Sequence, residues 1–474
     1  MTQRSAKKLI LSIICLVIIF PTLAQDFNVK SKADERTELL GVVFRLAGAR
    51  EYINNNVQPY ANEIDQYFID FKKHPVVKFA KKIRISNGVS YNAVMSMAIN
   101  LRIENGLLKF QNNITENSIE KRWGGKEEKF LELLNDFYQK SEFHQFYIEH
   151  QSLYNASAEN FDTILRKVDF KWFKKYYGYL PEGNFNLFVS LTNWGNYGCQ
   201  VYFKDGKTDI YAIMGAWAVD SSGVPVYNDY VINTIIHEFN HSFCNHLVDE
   251  YYDQMSINNK KFYELNEDKL RKQAYGNAKT MMYEILVRAS VIKYYQSHIN
   301  EGFITEQLIK ETIAQEKAKG FIWIQQLIDK LSEYEEGNYN TLKEFMPEIV
   351  SLMNSLDPSM VNNEYKKSCP QIISSSIQNG DKNVDPEITE LILNFDQPMN
   401  INKSRISYGL KGKDFYPKIL STDWNEETKK QFIITFELES NKEYSLSFPA
   451  AYFFNENSEF TLINSYFLDF KTKK

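Results

Sequence analysis

Cysteine is nearly absent from this chain of 474 residues: there are four, at 15, 199, 244 and 369. Cys15 sits in an N-terminal apolar run. The other three are too far apart and too few for a disulfide framework, so at most one bridge is expected and none is predicted. Glycine and proline number only 20 and 12, which excludes a collagenous or low-complexity chain. An excess of positive charge is also missing, with 55 basic against 60 acidic residues and a net charge of −5. Proteins that bind nucleic acid usually carry a basic face, so that class is excluded as a partner. Past residue 24 no apolar stretch approaches the length of about 18 residues that would suggest a membrane span.

What is present is core material. Apolar residues make up 43% and aromatics 15% of the chain, enough to offset the entropy of ordering a globular protein. At about 100–200 residues per domain the length predicts two or three domains. The first 24 residues carry Arg4, Lys7 and Lys8 and no acid, then the apolar run Leu9 to Phe20, then Pro21-Thr22-Leu23-Ala24. A basic start, a short apolar stretch and small residues at −3 and −1 read as a secretory signal cut before Gln25. The run is too short to cross a hydrocarbon core of about 30 Å. Removal of its three positive charges leaves an exported chain at −8, destined for the periplasm, the cell surface or the medium.

From Ala33 to about Leu180 the pattern is helical, with Phe130, Leu131, Leu133, Leu134 and Phe137 at mixed three- and four-residue spacings. Pro181-Glu182-Gly183 then breaks it. Residues 184–192, 199–203 and 208–219 read as strands, the last two joined by an Asp205-Gly206 hairpin signal, which predicts a small antiparallel sheet. A long helix is expected from Asn228 or Asp229, either able to cap it, to Tyr252. Further helices are expected at 278–298, 305–333 and 340–356, with the region closing at Asp357-Pro358. Beyond Cys369-Pro370 the apolar period becomes two, as in Phe432, Ile434, Phe436 and Leu438, and this predicts a β-sandwich. The fold class is therefore α+β. Its parts are a signal at 1–24, a helical N-terminal part of the catalytic region at 25–183, a core at 184–360 and an all-β module at 369–474.

Three of only seven histidines fall within ten residues: His237, His241 and His246, in Ile235-Ile236-His237-Glu238-Phe239-Asn240-His241-Ser242-Phe243-Cys244-Asn245-His246. On a helix, positions i and i+4 lie about 40° apart in azimuth and about 6 Å apart along the axis. His237 and His241 can therefore direct their imidazoles at one metal ion, and Ile235, Ile236, Phe239 and Phe243 can seat the helix in the core. Glu238 is turned by about 100°, within reach of a metal-activated water without being a ligand. This is the arrangement of zinc chemistry with a carboxylate general base.

A catalytic zinc also needs a third protein ligand. His246 and Glu250 are turned about 140° and 180° from His241 and point elsewhere. Asp253, Glu264 and Glu267 fall in what reads as a loop or the helix end. Glu284, set among Met282, Ile285 and Leu286 on the next apolar helix, is the best candidate, because a carboxylate there is costly to bury unless paired or metal-bound. Its alternative is an i,i+4 pair with Arg288, which could equally support a ligand from behind. Tyr275, Tyr294 and His298 are eligible as transition-state donors, with packing roles as the alternative for each.

The motif His237-Glu238-x-x-His241 followed by a glutamate on a later helix resembles the gluzincin type of zincin metallopeptidase. His237 to Phe243 and Tyr283 to Ala289 are similar to an uncharacterised exported bacterial branch of zincin-like proteins. The Gly and His of the metzincin pattern are replaced by Cys244 and Leu247, and the Asn-Glu-x-x-Ser-Asp context of the best-known gluzincins is absent around Glu284. Likewise Asn383-Val384-Asp385-Pro386 and Phe395-Asp396-Gln397-Pro398-Met399 resemble the opening of a bacterial Ig-like module, an accessory in that family. The resemblance implies a helix-rich zincin-like domain with Zn2+ on His237, His241 and Glu284 and with Glu238 as base. It implies a peptide or protein substrate, paired with a strand beside the active helix, for which Ile210 to Ala218 is the candidate. Two other readings stand beside it: a non-catalytic surface binding protein with a structural or degenerate metal site, and a zincin fold acting on a non-protein amide.

Overall fold

The computed structural model describes residues 29–474; the signal at 1–24 lies outside them. The chain is α+β. After the two-residue strand β1 (Ser31–Lys32) come helices α1 (Glu35–Leu46), α2 (Tyr60–Tyr67), α3 (Pro75–Asn87) and α4 (Asn92–Asn100). A hairpin of β2 (Leu101–Glu104) and β3 (Leu107–Phe110) then breaks the expected helical run. Its turn is Asn105-Gly106, both at positive φ, a two-residue signal that outweighs the surrounding helical pattern. Helices resume as α5 (Glu127–Lys140), α6 (Phe143–Glu149), α7 (Gln151–Leu165) and α8 (Lys171–Tyr177).

Strands β4 (Phe185–Ser190), β5 (Tyr197–Tyr202) and β6 (Thr208–Gly215) join β1 in one sheet of order β1-β4-β6-β5. The β5–β6 hairpin is antiparallel, but β1–β4 and β4–β6 are parallel, so the sheet is mixed and not antiparallel. The cause is the 191–196 connection, which carries the chain across the end of β6 before β5 returns along its far side. Asn54 pins that crossing by donating to the carbonyls of Leu191, Asn193 and Ala216, and Asn196 Oδ1 accepts from Gly215 N at 2.9 Å. A pin supplied from 140 residues away has no local signature.

Both faces of the sheet are covered. Phe188, Tyr211 and Ile213 point into a core shared with α1–α7, while Leu187, Val189, Ile210, Ala212 and Met214 point into a second core. The period-two alternation of the strands assigns each side chain to one core or the other. The second core is built around α9 (Val231–Arg271), with α10 (Ala278–Ser297), α11 (Glu306–Ala318), α12 (Ile324–Glu336), α13 (Leu342–Ser355) and α14 (Pro358–Ser368). Helix α9 runs 19 residues past the expected end at Tyr252, because Met255, Asn259, Phe262, Tyr263, Asn266 and Leu270 keep an inward stripe under a polar exterior. At its start the Asn228 side chain accepts from Tyr230 N at 3.1 Å, while Asp229 pairs with Lys167 at 2.5 Å. The predicted 305–333 helix is two, split at Gly320, whose φ is +112°. Asp357-Pro358 opens α14 instead of closing the region: the Asp357 carboxylate caps Ser359 N and Met360 N, and proline suits a first helical turn.

Helix α14 leads without a linker into β7 (Ile372–Ser375). With β8 (Glu390–Phe395), β9 (Ser407–Tyr408), β10 (Lys418–Trp424), β11 (Gln431–Glu437), β12 (Glu443–Phe448) and β13 (Tyr466–Lys471), it forms two antiparallel sheets, β10-β11-β8-β7 and β13-β12-β9. Their inner faces share one core that includes Phe395, Met399, Phe432, Ile434 and Phe436. The cysteines at 199, 244 and 369 are buried and unpaired, and among the described residues no helix is long and apolar enough to cross a membrane.

One buried carboxylate ties the first core to the sheet. Glu38 on α1 accepts from Ser190 Oγ (2.7 Å), Leu191 N (2.9 Å) and Tyr60 Oη (2.9 Å). Burial nevertheless pushes its carboxyl up to about 7. The folded state then holds the proton more tightly than the unfolded chain does, so this contribution to stability is complete below about pH 4.5 and is lost as pH rises through about 7. Denaturation of the wild type and Glu38→Gln across that window should differ by a slope amounting to about 3 kcal/mol. Parallel pH profiles for the two proteins would contradict this.

Candidate metal centre

Helix α9 is held rigidly where the motif sits. Ile235, Ile236, Phe239 and Phe243 are fully buried. Phe243 stacks on Tyr177 of α8 at 4.3 Å between centroids, and Phe239 meets Phe185 of β4 edge-on at 5.2 Å. Between the two motif histidines, buried Asn240 accepts from Tyr177 Oη at 2.8 Å and donates to Val287 O of α10 at 3.5 Å. These contacts lock α8, α9 and α10 in register.

On α9, facing Glu284, the Nε2 atoms of His237 and His241 lie 3.2 Å apart. Helix α10 brings Glu284 against both: Oε2 is 3.5 Å from His237 Nε2 and Oε1 is 3.5 Å from His241 Nε2. A tetrahedral ion with bonds of about 2.0–2.1 Å spaces its ligand atoms about 3.3 Å apart, close to the separation of the two Nε2 atoms and of each from its own nearer oxygen of Glu284. Among the described residues these three are the one group of His, Cys, Asp or Glu side chains that converges in this way. His241 Nδ1 faces Asn245 Oδ1 at 3.1 Å, which orients the ring from behind.

The two carboxylates have opposite electrostatics. Burial works against ionisation of Glu284, but the imidazoles of His241 and His237 and the guanidinium of Arg288 outweigh it and hold the group below the usual carboxylate range. Arg288 Nη2 lies 3.1 Å from Glu284 Oε2, and Tyr275 Oη donates to the same oxygen at 3.0 Å. The expected Glu284–Arg288 pair and the expected ligand position therefore coexist. Burial drives the His237 imidazole well below its ordinary value, leaving the neutral form that binds metals. For Glu238, burial pushes the carboxyl up to about 7, opposed by His241 and aided by the charge of Glu284.

Glu238 turns toward the sheet edge, where its carboxylate lies against Gly198 of β5 and the Gly198 N–H favours its ionised form. A Cβ at Gly198 would collide with Glu238 Oε2. The strand expected to receive substrate, Ile210 to Ala218, is mostly β6, which has β4 on one side and β5 on the other and so has no free edge. The edge beside the helix is β5. Tyr202 N donates to Ser118 Oγ and Tyr202 O accepts from Thr115 N, so the main chain of Tyr202 faces away from β6. Strand alternation puts the main chain of Gly198 and Gln200 on that same outer edge. The Gln200 side chain binds Ser242 Oγ at 2.9 Å and fastens the strand to the helix.

The remaining candidates lie elsewhere. His246 Nε2 meets Tyr179 Oη at 3.0 Å, and Glu250 pairs with Lys343 at 2.8 Å. Asp253, Glu264 and Glu267 lie on α9 itself, and Glu267 pairs with Arg271. Tyr294 Oη binds Asp169 N and His298 packs on Tyr294, so both are structural. Tyr275 is beside the site, with its hydroxyl committed to Glu284 and Arg288. Gly198, Asn245 and Glu316 escaped the sequence reading. Only Gly198 carried a signal, a glycine inside a strand, which marks a close approach by another group.

Residues 27–352 match the family described as a domain of unknown function, DUF4932, and the chain belongs to that family. No curated protein matches it. Among solved structures, the crystal structure of the S-layer protein rSbsC(31-844) aligns with 84% of this chain at 12% identity. The alignment spans 45% of that protein's length at a TM-score of 0.18, too low to place the two in one fold.

In a crystal structure of Gly198→Ala, the Glu238 carboxylate should be displaced from β5 while His237, His241 and Glu284 keep their triangle. Glu238 left in place against an alanine would contradict the contact.

Proposed function

We propose that this chain is an exported zinc-dependent metallohydrolase, a gluzincin-like metallopeptidase, with the C-terminal sandwich as an Ig-like accessory. His237, His241 and Glu284 would hold the ion. The observation that carries the reading is the convergence of His237 and His241, with their Nε2 atoms 3.2 Å apart, on Glu284 of a second helix, which sets a different oxygen 3.5 Å from each ring. Two imidazoles and one carboxylate suit zinc, and they leave a position for water or substrate. Bound there, zinc supplies Lewis acidity toward a carbonyl and a water molecule.

The protein's own residues supply the rest. Glu238 is not one of the converging ligands, and its carboxyl at about 7 is matched to accepting a proton from water near neutral pH and returning it to a leaving amine. Gly198, with no side chain, leaves the space its carboxylate occupies. The outer edge of β5, at Gln200 and the Gly198 carbonyl, offers main-chain groups to an extended peptide. Arg288 and Tyr275 keep Glu284 ionised and still, so the ligand does not compete for the proton that Glu238 handles.

The test combines metal analysis with cleavage of a peptide library. The wild type should carry about one zinc per chain and cleave peptides, and a chelator should abolish cleavage until zinc is restored. Glu238→Gln should retain the zinc and lose turnover by at least about 100-fold. Loss of zinc from Glu238→Gln would mean that Glu238 is a ligand. A metal-free wild type, or a zinc protein inert to every peptide, would favour the binding-protein reading.

A further inference from the structure

Resting on that metal-site reading, we infer that Glu316 of α11 is a positioning residue for the third ligand, and that the C-terminal sandwich, by bracing α11, forms part of the metal centre's scaffold. The path is continuous. Arg288 spends one end of its guanidinium on Glu284 and Tyr275 Oη (2.8 Å) and the other on Glu316, with Nη1 2.7 Å from Oε2. The other oxygen of Glu316 takes Lys319 at 2.8 Å. Glu316 is only 7% exposed, and Phe321 covers the guanidinium at 4.8 Å from its centroid. An arginine held at both ends in this way has one orientation, and Glu284 inherits it. Without Glu316 the fork is free to rotate, and Glu284 loses the partner that fixes its oxygens toward the histidines.

Helix α11 has a second face, and it meets the sandwich. Gln307 Nε2 donates to Ser458 Oγ at 2.7 Å, Glu311 pairs with Lys403 at 3.1 Å, and Gln315 Nε2 reaches Ala451 O at 3.3 Å. Residues 307, 311 and 315 are successive i,i+4 positions, one stripe of the helix. Ile309, Ile313 and Glu316 lie on the inward face. Lys317 closes the seat with its ammonium 4.4 Å over the Phe460 ring. The helix that carries Glu316 is therefore clamped between the core and the module.

The experiment measures zinc affinity by competition with a chromophoric chelator on the full chain, together with the visible spectrum of the cobalt-substituted protein. Glu316→Gln should weaken zinc binding by about 10–100-fold, the usual effect of losing a partner behind a ligand, and should alter the cobalt bands. Glu316→Asp, which keeps the charge, should recover part of the loss. Should Glu316→Gln fail to fold, the double variant Gln307→Ala/Gln315→Ala loosens α11 from the sandwich alone and should still weaken zinc binding several-fold. Wild-type affinity and an unchanged cobalt spectrum in folded variants would overturn the inference while leaving the metal site intact. A wild type that binds no zinc would overturn the metal-site reading itself, and the inference with it.

Discussion

The structure depends on a single buried carboxylate. Glu284 is 8% exposed in the middle of an apolar helix, where an uncompensated charge would cost several kcal/mol. Its compensation comes from both directions: two imidazoles across the gap between α9 and α10, and a guanidinium and a phenol behind it. Because those partners come from different segments, the carboxylate is settled only when the segments are docked. The aromatic stack of Tyr177 on Phe243 and the bonds of Asn240 to Tyr177 and Val287 set that docking. The core is thus built to hold a charged group at one place and orientation.

The second carboxylate shows what the first would be without its cation. Glu238 is half-buried, and among the described residues no arginine or lysine forms an ion pair with it; its carboxylate lies against Gly198 at the sheet edge. The result is a pair of glutamates with separated proton affinities, one held ionised and the other near neutrality. That separation is what the proposed roles, Glu284 as ligand and Glu238 as proton carrier, would require. The separation comes from neighbours placed by the fold, with the mixed sheet delivering β5 and the long helix delivering Arg288 through its packing on α10.

The parts of this arrangement legible in the sequence were those governed by local periodicity. His237, Glu238 and His241 declare themselves by helical spacing, and Glu284 by the cost of a carboxylate among Met282, Ile285 and Leu286. The strands of the C-terminal module follow from their alternation. What stayed hidden depends on contacts between distant segments. Asn54 holds the crossing that sets β4 parallel to β6, and the place of β5 at the edge of the sheet follows from it. Glu316 sits in Glu-Thr-Ile-Ala-Gln-Glu-Lys, a stretch that reads as a solvated helix face, and only the tertiary structure turns it against Arg288. The extension of α9 to Arg271 was hidden because its inward stripe includes Asn259 and Asn266, polar residues whose Nδ2 atoms donate to Ala278 O and Phe262 O.

The central claim is that the three converging side chains form a metal site. Crystals of the full chain grown with zinc and measured at the zinc absorption edge test it most directly. One strong anomalous peak is expected about 2.0–2.2 Å from His237 Nε2, His241 Nε2 and an oxygen of Glu284. A peak bound to other residues, or none at that triangle with zinc in excess, would contradict it.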